Sequence, residues 1–67
     1  MISILCNGQT REVAAGTTVA QLVSDLGIAE RKFAVERNRE VVSRERLDEV
    51  QLEEGDELNI VTLVGGG

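Results

Sequence analysis

Residues 1–13 read M-I-S-I-L-C-N-G-Q-T-R-E-V, and this stretch determines how the fold begins. Met1 to Cys6 is apolar and rich in branched side chains, which is typical of a β-strand. Asn7-Gly8 is a strong hairpin signal, because a type I′ turn needs positive φ at both central positions. Gln9 to Val13 is long enough to pair back as a second strand. The sequence therefore predicts a β-hairpin at the start of the chain.

One amphipathic helix is predicted after the hairpin. The segment T-V-A-Q from Thr18 to Gln21 has the form of a capping box, which places the helix start at Thr17 or Thr18. Apolar residues then recur at i, i+3, i+4 and i+7 and form one stripe, consisting of Val19, Leu22, Val23 and Leu26. Gly27 fits the left-handed position that ends a helix, and Ile28 can close a contact back onto it.

The second half of the chain alternates between strand and turn signals. Phe33 to Arg37 reads as a strand, Asn38-Arg39 as a turn and Glu40 to Val42 as a short partner strand. Ser43 to Val50 is compatible with one helical turn or with a loop anchored by its apolar residues. Glu54 to Asp56 is predicted to be a turn around a glycine.

The last predicted strand, Glu57 to Val64, is the longest. Alternation places four residues on one face, namely Leu58, Ile60, Thr62 and Val64, and three on the other, namely Asn59, Val61 and Leu63. Both faces carry apolar residues. This pattern favours a central strand, or a strand whose second face meets a partner.

The order of elements predicts an α+β fold of the β-grasp type, with a mixed sheet of about four to five strands crossed by one main helix. A chain of 67 residues can form only one small domain. We expect that domain to span residues 1–64 and to be followed by a flexible glycine tail at 65–67. The apolar residues suffice for one modest core, so binding is expected on the surface or at the ends.

Composition excludes several classes of function. The net charge of −5 disfavours nucleic-acid binding. Six of the seven basic residues lie between Arg31 and Arg46, whereas half of the acidic residues lie at 48–57. This asymmetry is compatible with an ordinary solvated surface or with electrostatic steering of a partner. With no signal peptide, no apolar span and a single cysteine, the chain is expected to be a soluble cytoplasmic protein.

An internal active site is not expected. The chain has no histidine, so it lacks the Cys–His or Ser–His pair that activates a nucleophile, and it has no zinc-type cluster. The acidic residues at 48–57 do not follow the calcium-loop pattern, and we expect a solvated acidic face there. Cys6 is expected to be a buried thiol. We therefore predict a protein that is not an enzyme and binds neither metal nor cofactor.

The tail is the unusual feature of the sequence. Residues 61–67 read V-T-L-V-G-G-G, and three residues beyond Val64 reach roughly 10 Å when extended. Glycine can thread a narrow channel and leave its acyl carbon open to attack, although a carboxylate must first be activated. From residue chemistry alone, a reacting terminal carboxyl and an incidental frayed end both remain open.

At this point the sequence resembles a known family, the ThiS/MoaD group of ubiquitin-like sulfur carrier proteins, and most closely its ThiS branch. The similarity runs along the whole chain. The segments that carry it are M-I-S-I-L-C-N-G-Q, T-T-V-A-Q-L-V, V-E-R-N-R-E-V-V-S-R-E-R and G-D-E-L-N-I-V-T-L-V-G-G-G. The glycine end is common to several subfamilies, whereas E-R-N-R-E-V-V is more particular to the thiazole branch.

The resemblance implies a sulfur carrier for thiamine biosynthesis. A ThiF-like adenylating enzyme would use ATP to activate the Gly67 carboxylate, and sulfur from a donor such as a cysteine desulfurase would leave a thiocarboxylate there. Thiazole synthase, the ThiG-like partner, would then receive the sulfur. Gly65 and Gly66 would form the slender segment that carries Gly67 into the active site of the partner. Partner contacts are expected at Val61, Leu63 and Val64. A core position is equally compatible with each of the three and is favoured for Val64.

Three alternatives stay open. The small subunit of molybdopterin synthase uses the same thiocarboxylate, although its end usually carries prolines, which this chain lacks. A ubiquitin-like modifier conjugated to lysines would need the same activated glycine. A non-covalent β-grasp binding module would have an incidental tail.

Overall fold

The fold is built on a five-stranded mixed sheet. The computed structural model describes residues 1–28 and 32–62. The strands are β1 (Ile2–Cys6), β2 (Gln9–Val13), β3 (Phe33–Arg37), β4 (Glu40–Val42) and β5 (Glu57–Thr62). They lie in the order β2-β1-β5-β3-β4, with β1 parallel to β5 and the other pairs antiparallel. This architecture confirms the predicted α+β, β-grasp class and places β5 in the centre.

Both hairpins turn through residues with positive φ. Asn7 (φ 50°) and Gly8 (φ 82°) join β1 to β2, as the Asn-Gly signal predicts. The second turn uses Asn38 (φ 51°) and Arg39 (φ 72°) between β3 and β4. Arginine rarely adopts this conformation, so the second turn depends more strongly on tertiary contacts.

The helix α1 (Val19–Asp25) begins and ends at the predicted signals. The Thr18 hydroxyl accepts from the Gln21 backbone N–H at 3.2 Å, and the Gln21 side chain accepts from the Thr18 N–H at 3.0 Å. At the other end the Ile28 N–H donates to the Val23 carbonyl and the Gly27 N–H to the Ser24 carbonyl. These are the two bonds of a Schellman ending, which needs the positive φ of Gly27.

The core lies between α1 and the inner face of the sheet. Its buried apolar residues come from the helix, from β1, β2, β3 and β5 and from the segment that precedes β5. They are Ile4, Cys6, Val13, Val19, Leu22, Val23, Val35, Leu47, Leu52, Leu58 and Ile60. The predicted helical stripe and the predicted inner positions Leu58 and Ile60 are thereby confirmed.

The segment from Ser43 to Val50, which the sequence leaves open, contains a 3₁₀ helix at Arg44–Arg46. Leu47 is buried and Val50 is half-buried, so both predicted anchors are confirmed. The Val50 carbonyl accepts from the Val19 N–H at 2.9 Å, and the Leu47 carbonyl accepts from the Ala20 N–H at 3.0 Å. The first turn of a helix leaves such N–H groups without intrahelical partners, so this segment completes the start of α1.

One expectation about the acidic residues is wrong. Five of the six acidic residues at 48–57 are exposed, but Asp56 is only 6% exposed. Its carboxylate accepts hydrogen bonds from Arg37 Nε at 2.8 Å, Asn38 Nδ2 at 3.2 Å and the Glu53 N–H at 2.8 Å. Burial is tolerated because these donors replace water around the charge. The division into a domain at 1–64 and a tail at 65–67 stays a prediction, since 63–67 lie outside the described residues.

Candidate functional site

Strand β5 is the base from which residues 63–67 continue. Its inner-face residues Leu58 and Ile60 are 0% and 7% exposed, so the strand is anchored in the core. On one edge it pairs with β3 along its length, from Leu58 opposite Arg37 to Thr62 opposite Phe33. Strand β5 is therefore held in a fixed position as far as Thr62.

The other edge of β5 is paired differently. β1 reaches only as far as Leu58, where the Asn7 N–H donates to the Leu58 carbonyl at 2.8 Å. The chain then turns away into β2. The Asn7 side chain takes over the pairing, because its Oδ1 accepts from the Ile60 N–H at 2.7 Å and its Nδ2 donates to the Ile60 carbonyl at 3.1 Å.

The start of β5 is held by a second asparagine. Asn38 Oδ1 accepts from the Glu57 N–H at 3.0 Å, while Nδ2 of the same side chain donates to Asp56. Burial by itself would raise the pKa of Asp56. Hydrogen bonds from Glu53, Arg37 and Asn38, together with the Arg37 charge, outweigh it and leave that pKa below its usual value. Asp56 is therefore an anionic anchor for the turn that precedes β5.

The outer face of the sheet presents apolar side chains beside β5. Val61 is 57% exposed and is paired in register with Ala34 on β3. Leu5 and Val41 are exposed on the same face, at 36% and 75%. The alternation predicted for β5 is thus confirmed from Leu58 to Val61, whereas Thr62, predicted on the inner face, is exposed at the end of the strand. Val61 is available to a partner, although its docking role stays a prediction.

The other residues predicted for the site lie outside the described residues. These are Leu63 and Val64, proposed as partner contacts, and Gly65, Gly66 and Gly67, proposed as the approach and the reacting group. Phe33, which faces Thr62 across the sheet, has the Arg44 guanidinium 4.6 Å from its ring centroid. A cationic side chain therefore lies over the ring of the residue that pairs with Thr62.

Cys6 is the one thiol of the chain and lies in the core. Burial raises the pKa of this thiol, and the nearby positive charge of Arg11 offsets that only in part. A protonated, buried thiol is a poor nucleophile, as the sequence predicts. Within 1–28 and 32–62 there is no cluster of three His, Cys, Asp or Glu side chains that could hold a metal, nor a helix long and apolar enough to span a membrane.

Sequence reasoning missed the asparagine contacts to β5. Asn7 and Asn38 were recognised as turn residues, which is correct for their backbones. Their side chains bond to residues 53 and 19 positions away. No local pattern signals such contacts, because an asparagine in a hairpin turn has the same sequence signature with or without them.

Comparisons with known proteins agree with this architecture. A crystal structure of the thiamine biosynthesis protein ThiS from Geobacter metallireducens matches with a TM-score of 0.82 and 32% identity, covering 98% of this chain and 100% of that one. The sulfur carrier protein ThiS of Escherichia coli is 30% identical over 66 residues, which is 98% of this chain and 100% of that protein.

A longer relative is also similar. A thiazole synthase of Paramagnetospirillum magneticum is 41% identical over 66 residues, covering 98% of this chain. The chain spans only 20% of the length of that relative.

The sheet order, the position of α1 against the sheet and the structural match define a β-grasp protein. Residues 4–67 match the model of the ThiS family. The chain belongs to the ThiS family.

Proposed function

We propose that this chain is a sulfur carrier for thiazole formation in thiamine biosynthesis, and that the sulfur is carried as a thiocarboxylate on Gly67. The observation that carries the proposal is the match to the ThiS family, which extends through Gly67. The full-length similarity to the E. coli sulfur carrier supports it. On this proposal the chain is a protein co-substrate and not an enzyme.

The chemistry begins with activation of the carboxylate. A Gly67 oxygen attacks the α-phosphorus of ATP in a ThiF-like enzyme, pyrophosphate leaves, and an acyl-adenylate forms. A sulfur nucleophile at the oxidation level of hydrosulfide then attacks the acyl carbon, and AMP leaves with the bonding electrons. ATP is thus bound by the partner. A donor such as a cysteine desulfurase would supply the sulfur as a persulfide, and a thiol reductant would release it as hydrosulfide while a disulfide forms.

The acceptor is proposed to be thiazole synthase. In the P. magneticum relative, a stretch similar to this whole chain makes up a fifth of a protein named thiazole synthase. Presence of both parts in one polypeptide supports a working relationship between the carrier and a ThiG-like partner.

The described structure suits this role through β5. The five residues after Thr62 span at most roughly 17 Å when extended, enough to place a terminal carboxyl in a partner's active site while the domain stays outside it. Glycine has no Cβ and therefore passes a narrow channel. Val61 on the outer face, with Leu63 and Val64, would contact the partner next to that channel.

The test is the intact mass of the untagged chain after incubation with ATP, a ThiF-like enzyme and a sulfur donor. We expect a gain equal to sulfur replacing oxygen, mapped by fragmentation to Gly67. A chain shortened by Gly66 and Gly67 is the control and should not react. The same measurement establishes that Gly67 bears the free carboxyl, on which the proposal depends.

Adding a ThiG-like enzyme with its other substrates should return the mass to its starting value. If the full chain stays unchanged while the same enzymes modify another carrier, the proposal is wrong. If the shortened chain instead binds its partner as tightly as the full chain does, the protein is a binding module whose tail is incidental.

A further inference from the structure

We propose that Asn7 is a positioning residue for the end of β5, from which the chain continues to the glycine tail at 65–67. Its carboxamide fixes β5 at Ile60 and thereby holds the end of the strand that leads toward Gly67. This inference rests on the proposed function, since it concerns how the reacting end is presented. It assigns to a turn residue in the first hairpin a role at the other end of the chain.

The first step is that Asn7 continues the β1–β5 ladder after β1 has ended. Backbone bonds run from the Leu5 N–H to the Asp56 carbonyl and from the Asn7 N–H to the Leu58 carbonyl, both at 2.8 Å. The next rung would belong to a residue two positions further along β1. The turn at Asn7-Gly8 removes that residue, and the Asn7 side chain supplies one donor and one acceptor to Ile60 instead.

The second step is that this rung is the last described one on the β1 edge of β5. Ile60 lies two residues before Thr62, where the described part of β5 ends. On the β3 edge the pairing reaches Thr62 itself. Without the Asn7 rung β5 would be held on one side only over its final residues, and a strand held on one side can twist and bend more freely.

The third step explains why asparagine is needed. Residue 7 has φ of 50°, which glycine, asparagine and aspartate tolerate best. Glycine would keep the turn but has no side chain to reach Ile60. An ionised aspartate accepts hydrogen bonds but donates none, so it would face the Ile60 carbonyl with a second acceptor. Only asparagine satisfies both the turn and the rung.

The chain offers a matched control in Asn38. This residue also has positive φ in a hairpin turn, and its side chain also bonds to the β5 backbone, at Glu57. Glu57 is the first residue of β5, far along the strand from the tail. Asn7→Gly and Asn38→Gly should therefore lose comparable stability, whereas only Asn7→Gly should alter presentation of the tail.

The experiment measures carrier-dependent AMP release by the ThiF-like enzyme supplied with ATP and hydrosulfide, at a temperature where all variants are folded. For Asn7→Gly we expect KM for the carrier to rise about fivefold to tenfold with kcat nearly unchanged, because the base of the tail must be ordered on binding. Asn38→Gly should stay within about twofold of the parent protein, since its rung lies far from the tail. Amide hydrogen exchange should quicken at Ile60 in Asn7→Gly alone.

Each outcome has a definite meaning. Equal KM values for Asn7→Gly and Asn38→Gly, with an active parent protein, overturn the positioning role and leave the proposed function intact. An inactive parent protein, with the enzyme active on another carrier, overturns the proposed function instead. If Asn7→Gly does not fold, Asn7→Asp replaces it, with the same expected direction and the same exchange measurement at Ile60.

Discussion

At the scale of single residues, Asp56 does the most to join separate parts of the chain. Its buried carboxylate accepts hydrogen bonds from the side chains of Arg37, at the end of β3, and Asn38, in the following turn. It also accepts one from the backbone N–H of Glu53, in the loop that precedes β5. Arg37 also contacts Glu53 at 3.2 Å, but the Glu53 side chain is 78% exposed, so that contact contributes little. The stabilising contact is the one to Asp56.

Asp56→Asn should lower the free energy of unfolding by about 2 kcal/mol, because the amide cannot accept all three bonds and turns its own donors toward Arg37 or Glu53. Urea unfolding followed by circular dichroism measures this. Glu49→Gln is the control, since Glu49 is exposed, and should change stability by less than about 0.5 kcal/mol. Equal stability of both variants would show that the Asp56 contacts contribute nothing net.

Val61→Asp should weaken binding to the adenylating enzyme roughly tenfold or more while the domain stays folded. Val61 is exposed on the outer face of β5, so the substitution buries no charge in the free protein but places one in the proposed interface. Titration calorimetry measures the affinity. Val41→Asp, on the edge strand β4, tests whether the effect is confined to β5; unchanged affinity for Val61→Asp would exclude this face as the contact.

Residue-scale reasoning from sequence succeeded for positions with a local cause. The Asn7-Gly8 turn and the Thr18 cap follow from backbone preference, and the opposite faces of Ile60 and Val61 follow from alternation along a strand. The prediction that Asp56 is exposed is wrong. Asp56 belongs to an acidic run, but its burial depends on Arg37, which lies 19 residues away. A single sequence does not reveal which of six neighbouring acidic residues meets a distant arginine.

At the scale of elements, α1 is short and depends on its ends. It has seven residues, too few to be stable in isolation, so caps and packing decide whether it forms. At the N-terminal end, the Thr18 side chain accepts the hydrogen bond of the Gln21 N–H. The carbonyls of Val50 and Leu47 accept those of the first two N–H groups of α1.

Thr18→Ala should lower the free energy of unfolding by about 1 kcal/mol, the usual cost of losing an N-cap side chain. Thermal unfolding measures the change. The neighbouring Thr17→Ala is the control, because Thr17 takes part in hydrogen bonds through its backbone N–H and carbonyl, which alanine keeps. A loss as large for Thr17→Ala would mean that the helix start is held by something other than the capping box.

Element prediction succeeded where periodicity was long enough to be read. α1 carries a 3.6-residue pattern, and β3 and β5 carry an alternating one, whereas β2 and β4 follow from the turns that join them to β1 and β3. The 3₁₀ helix at Arg44–Arg46 carries no such signal, because three residues give no period and its position is fixed by Leu47 in the core and by bonds to α1. Such a segment takes its structure from the elements around it.

At the scale of the whole molecule, stability should depend on pH through Asp56. Its pKa is lower in the folded state than in the unfolded chain, so its contribution is fully present above the unfolded value of about 3.9 and is lost as pH falls through the folded value. The difference in unfolding free energy between the parent protein and Asp56→Asn should therefore be constant near neutral pH and shrink below about pH 4.

Urea unfolding of both proteins from pH 7 down to pH 2 measures that difference. Glu49→Gln serves again as the reference variant, because Glu49 is exposed. A difference for Asp56→Asn that stays constant down to pH 2 would contradict the assignment of a charged, hydrogen-bonded Asp56.

The central place of β5 also governs how the chain can assemble. Within the sheet, β1 pairs with β2 and β5, and β3 pairs with β4 and β5, so the two hairpins of the described chain have no strand pairing with each other. A nascent chain that has not yet produced β5 holds two unjoined hairpins, each with an open edge able to pair with the wrong strand. Closing the sheet requires Glu57 to meet Leu5 across almost the whole chain, and such distant pairing slows folding. The strand that completes the domain is the strand that leads to Gly67, so an incompletely folded chain lacks the fixed base that a partner enzyme would meet.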